Sequence, residues 1–153
     1  MLSKIHKPAA AIGFLCIATF FSATVLSELF GSHETVAAIK KLILFPGLLI
    51  LIPALAATGA SGFKLAKNRK GRLLEQKKKR MPFIAANGLL ILVPCAFILS
   101  SWASQGKFDT SFYAVQALEL MAGALNLSLM YRNMKDGLKL AGAEKVRSKH
   151  RHD

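Results

Sequence analysis

The sequence predicts an all-α polytopic membrane protein, a bundle of four transmembrane helices with proline kinks in the second and third. Three observations carry this. Hydrophobic residues make up 53% of the 153 positions. They are gathered into four continuous apolar stretches, 8–30, 42–63, 81–102 and 112–131. Each has about 20 residues, which at 1.5 Å rise per residue crosses a hydrocarbon core of ~30 Å. The basic charge alternates between the connections, as it does in multi-pass proteins. Membrane β-strands are excluded because they need short alternating segments, and these stretches are continuous.

Of the 21 Lys and Arg, Lys4 and Lys7 precede the first stretch, nine lie in 64–80, and seven lie from Arg132 onward. With four spans these three groups share one side of the membrane, which the positive-inside rule makes cytoplasmic. Only Lys40, Lys41 and Lys107 fall in the other two connections. The chain is therefore expected in the plasma (inner) membrane with both termini inside: residues 1–131 as the transmembrane domain, 132–153 as a basic tail. Topology accounts for most of the net charge of +13, so no nucleic-acid partner is expected. Lys77, Lys78, Lys79 and Arg80 are the candidates for contact with anionic lipid headgroups, each adding about 1 kcal/mol near the surface.

The first span follows Lys4 and Lys7 like a signal peptide, but its apolar run exceeds the ~7–15 residues of a signal h-region. An outer loop from Gly31 leads through Thr35–Ile39, a short helical lead-in, to the second span. That span ends in the small-residue run 54–62, which permits close helix approach. The connection 64–80 extends both flanking helices around a break at Gly71. Asp109 is placed to cap the fourth helix, and Trp102, Phe108, Phe112 and Tyr113 form an aromatic girdle at the outer interface. The tail ends in His150-Arg151-His152-Asp153.

Polar side chains inside a membrane are costly, so their depths are informative. Counted from the inner boundary, Thr58, Asn87 and Asn126 fall at one level, about 9–10 Å in, as a cytoplasmic-side polar layer. Glu119 falls near the bilayer centre, ~19 Å in. The segments GLLILIP (47–53) and GLLILVP (88–94) place Pro53 and Pro94 at comparable depths, ~16 and ~21 Å. Each proline frees the carbonyl four residues back. A desolvated Glu119 is expected to be protonated and to offer that carbonyl an O–H. Gln116 shares its helix face, and Thr19 and Ser22 lie at the same depth. Glu119, Gln116, Pro53, Pro94, Thr19 and Ser22 are therefore read as a midplane polar site.

Cys16 and Cys95 form no CxxC pair and read as small buried hydrophobes. The four histidines place no pair on facing helices at one depth, so neither metal nor haem is expected as cofactor. The Lys-Ile-His start of the first span, the Lys-Lys…Pro…Gly second span and the basic entry to the third resemble membrane proteins of the protoporphyrinogen-oxidase and copper-resistance-D type. That resemblance covers scattered positions, and it implies His6 as a haem or metal ligand without supplying a second. No Walker loop, HExxH, nucleophile triad or dinucleotide fingerprint is present, so the reading leans away from an enzyme. The expected function is a transport-related or membrane-complex accessory protein with a protonatable midplane site, as a homo-oligomer or beside a partner subunit. The alternative is a haem- or metal-binding redox protein using His6.

Overall fold

Helical signals run through the apolar stretches without strand-like alternation, and the chain folds accordingly. The computed structural model describes residues 2–67 and 71–149, and side chains for 4–67 and 71–143. The middle of the basic connection and the histidines of the tail lie outside the described residues. Helix α1 is Leu2–Phe30, α2 is His33–Leu42 and α3 is Leu49–Ala66. Helix α4 is Arg72–Asn87, α5 is Val93–Ser104 and α6 is Thr110–Lys149. π-Helical segments at Ile43–Leu48 and Gly88–Leu92 join α2 to α3 and α4 to α5.

Four helices are thus long and apolar enough to cross a membrane: Lys4–Phe30, His33–Ala66, Arg72–Ser104 and Thr110–Ala143. They fit a multi-pass membrane protein. All four start earlier in sequence than the hydrophobic runs alone suggest, and local signals rather than hydropathy fix three of the starts. Ser32 Oγ accepts the Thr35 N–H at 3.2 Å and so begins α2. Asp109 Oδ1 accepts the Phe112 N–H at 3.0 Å and begins α6. Gly71, at φ 151°, supplies a backbone that L residues rarely adopt and lets α4 start at once.

The prolines act differently from one another. In the second span the irregular backbone falls at Phe45 (φ −139°, ψ 120°), before the cis peptide to Pro46, while α3 runs on through Pro53. In the third span the π-helical turn precedes Pro94, and the Val93 N–H donates to Gly88 O five residues back. Widening the turn re-partners carbonyls that a proline would strand.

α1 packs most extensively along α3, α2 along α5, and α6 against α1, α4 and α5. The termini share one end of the bundle, where His6 meets Ser61 and Arg80 meets Asp136. The opposite end carries the Gly31–Ser32 and Gln105–Asp109 connections and a core of Val36, Cys95, Leu99, Ala103 and Phe112. A second core, nearer the termini, is built from Ile17, Leu48, Leu51, Ile84 and Met130. Between α1 and the second span the approach is tight. A Cβ on Gly47 would stand 2.7 Å from Phe20 Cζ and 2.9 Å from the Leu42 carbonyl oxygen.

Candidate functional site: a buried ion pair and an apolar cleft

Lys40 and Lys41 are the last two lysines before the apolar run of the second span, and hydropathy leaves both at the boundary. Because α2 is already helical from His33, Lys40 is instead carried into the bundle, where it is 1% exposed. Its Nζ donates to Glu119 Oε2 from α6. Gln116 Nε2, one turn earlier on α6, donates to the same oxygen at 2.9 Å. Glu119 is therefore an acceptor of two donors, and the donor role toward a proline-freed carbonyl is not the one it takes. From α1, Glu28 brings a second carboxylate, whose buried Oε1 has no hydrogen-bond partner. Ser27 Oγ beside it donates to the Thr24 carbonyl at 3.0 Å.

Of the midplane residues expected from sequence, Gln116 and Glu119 come together. Thr19 and Ser22 are exposed, since α1 turns Ile17, Thr24 and Ser27 inward. Ten residues separate 17 from 27, close to three helical turns, and this leaves 19 and 22 on the other face. Pro53 and Pro94 are likewise exposed. Gly88 faces Asn126, so Pro94, six residues further on, reaches about the level of Glu119. Pro53 follows α3 down toward Leu55, which packs on the Gly13 position beside Met130, about 13 Å from that level. The two similar heptapeptides thus end at different depths.

The expected layer of Thr58, Asn87 and Asn126 also divides. Asn87 Nδ2 crosses to the Ala122 carbonyl of α6 at 2.9 Å and ties two helices. Thr58 Oγ1 donates within its own helix to Ala54 O at 2.7 Å, and its carbonyl faces His6. Asn126 is 0% exposed, and neither its Nδ2 nor its Oδ1 has a hydrogen-bond partner. The continuous second span shifts Thr58 about 10 Å toward the termini relative to Asn126.

Beside Asn126 runs a cavity of about 410 Å³, within the roughly 300–1,000 Å³ of small-molecule sites. Its walls are apolar save for Thr24, Glu119 and Asn126. Its mouth lies between α3 and α4: Ala56, Ala60 and Phe63 on one lip and Ala85 and Leu89 on the other line it, and all five are exposed. Gly59, also on the wall, has no atom within 4 Å of the position a Cβ would take. The small-residue run read as a helix contact surface therefore serves two purposes. Gly62 packs against His6 and Met81, whereas Gly59 leaves space.

At the terminal end His6 is half-buried. His6 Nδ1 lies 3.0 Å from Ser61 Oγ and 3.2 Å from the Thr58 carbonyl oxygen; a carbonyl only accepts, so the contact with Thr58 calls for the proton on Nδ1. Among the described residues no group of three His, Cys, Asp or Glu is placed to hold a metal ion. Of the basic cluster, Arg80 Nη1 is paired with Asp136 Oδ2 at 2.8 Å. Lys77 Nζ lies against Gly137, Lys78 is half-buried and Lys79 is exposed.

The chain matches no protein-family model, no curated protein and no solved structure.

The Lys40–Glu119 pair, the place of Glu28 beside it and the cleft were not read from the sequence. One signal was available for Lys40. The Thr35–Ile39 lead-in, continued into the span, puts Lys40 seven residues past His33 and about 10 Å into the helix.

Proposed function

We propose that this chain is a small multi-pass protein of the plasma (inner) membrane, both termini cytoplasmic, whose lateral cleft takes up a small molecule dissolved in the bilayer. The role is transport-related. The cleft carries the reading: an apolar cavity, with exposed apolar lips, leads inward to three polar side chains. A mouth lined by Ala56, Ala60, Ala85 and Leu89 faces lipid tails when the bundle spans a membrane, so an apolar solute enters without crossing water. At the inner end Glu119 is held by Lys40 and Gln116. Intramembrane ionisable groups commonly mark substrate or ion pathways, and Glu119 supplies the carboxylate on the cleft's wall. The basic connection and Arg132 support the orientation, and exposed Lys79 is free to meet anionic headgroups.

The test uses full-length protein in nanodiscs with a dodecyl probe carrying a diazirine. Labelling saturates in the wild type. In Gly59→Trp, which fills open space rather than displacing atoms, saturable labelling is lost. Labelling that rises linearly with probe in both proteins contradicts the proposal and favours an accessory role, in which the polar contacts only hold helices together.

A further inference from the structure

We infer that Asn126 is the recognition group of the cleft, and that the occupant is an uncharged, single-chain-sized lipid carrying a free hydroxyl. This rests on the cleft being a binding site and names what it selects.

A side-chain amide has two N–H donors and a carbonyl acceptor. Both ends of Asn126 are unpartnered although the residue is 0% exposed. Leaving a buried polar group unpaired is costly, because its lost hydration is not replaced. Its neighbour Asn87 is committed elsewhere, to the Ala122 carbonyl, and Gly88 presents only backbone beside Asn126 Nδ2. Asn126 is among the residues lining the cavity, and so an occupant that presses against the amide is its available partner.

The chemistry of that partner follows from what Asn126 lacks. A ketone or ester only accepts, which leaves Asn126 Oδ1 unsatisfied. A hydroxyl both donates and accepts and satisfies both ends. A charged group is excluded at this position, because the walls around Asn126 are apolar and Glu119, seven residues away on α6, is already paired with Lys40. An ion beside Asn126 would lose its hydration without gaining a counter-charge. The cavity volume of about 410 Å³ suits one alkyl chain rather than a two-chain phospholipid.

Competition against the diazirine probe in nanodiscs tests this, using 1-dodecanol and its methyl ether, which keeps the acceptor and loses the donor. Per mole fraction in the bilayer, wild type is expected to favour the alcohol about tenfold. In Asn126→Ala that ratio falls to about one; Asn126→Ser, which restores a hydroxyl, recovers part of it. Equal competition by alcohol and ether in wild type overturns the hydroxyl reading and leaves cleft binding standing. A ratio that survives in Asn126→Ala overturns the assignment to that residue. Absence of saturable labelling in wild type instead removes the binding proposal itself. The wild-type comparison needs no variant, so poor folding of Asn126→Ala does not obscure the outcome.

Discussion

Lys40 and Glu119, 79 positions apart in sequence, meet inside the bundle with Lys40 almost wholly screened from solvent at 1% exposure. The contact joins α2 to α6. A buried pair is weak evidence of net stability, because desolvating two charges offsets their attraction, but removing one partner strands the other. Lys40→Met and Glu119→Gln are each expected to destabilise the protein by about 3–5 kcal/mol. Lys40→Met combined with Glu119→Gln recovers most of that loss. Unfolding of the four proteins in mixed micelles gives the coupling, and simple additivity of the two single losses would contradict a buried pair.

Gly47 opens the first of the two similar heptapeptides, and its hydrogen faces the Phe20 ring and the Leu42 carbonyl. Gly47→Ala forces backbone or ring to move and is expected to cost about 1–3 kcal/mol. Phe20→Leu in the same protein relieves the ring contact and returns part of it. A thermal scan of the single and double variants checks this, and a neutral Gly47→Ala would mean α1 is further away.

Asn87 makes the one side-chain hydrogen bond from α4 to α6 within the apolar region of the described residues. Asn87→Leu is expected to cost about 0.6–2 kcal/mol, the range of interhelical bonds in membranes. Cysteine pairs across α4 and α6 would then crosslink more slowly than in wild type, and an unchanged rate would show that the bond does not hold the helices together.

Asp109 is a cap and not a site. The Phe112 N–H, followed by the nearby Lys107 charge, holds its carboxyl below the usual aspartate value. A depressed value means that the cap stabilises the fold above the ordinary carboxylate range and loses that contribution as pH falls through the lowered value. Asp109→Ala should therefore lower the melting temperature at pH 7. The difference from wild type should vanish in strong acid, and a difference independent of pH would point to another role.

Membrane orientation is checked by reporter fusions. Alkaline phosphatase, active only outside the cytoplasm, is expected to be active after Gly106 and inactive after Lys67 or Ala143. The reverse pattern would invert the orientation proposed here.

Much of the helical content was legible because four apolar runs of membrane length have few other solutions. Two of their starts were legible as well, at the Gly71 break and the Asp109 cap, but Ser32, which begins α2, was not, because hydropathy does not record a cap. That error propagated to the site. Placing the second span at residue 42 left Lys40 outside and made Glu119 look solitary. Depth arithmetic put Pro53 level with Glu119, but a helix continuous from His33 with its irregular turn at Phe45–Pro46 carries Pro53 well past it. Thr19 and Ser22 had the right depth on the wrong face, which only packing against α3 and α6 decides. The cleft left no local pattern, because it is space between helices, and Gly59 contributes to it by lacking a side chain.

The most direct measurement of the central claim is a residue-resolved map of where the diazirine probe attaches in nanodiscs. The account predicts saturable adducts on the buried cleft walls, at Leu48, Leu51 and Gly123, with Leu49 and Leu118 on the outer faces labelled only in proportion to probe. Adducts spread evenly over the outer faces, with none enriched on the cleft walls, would contradict it.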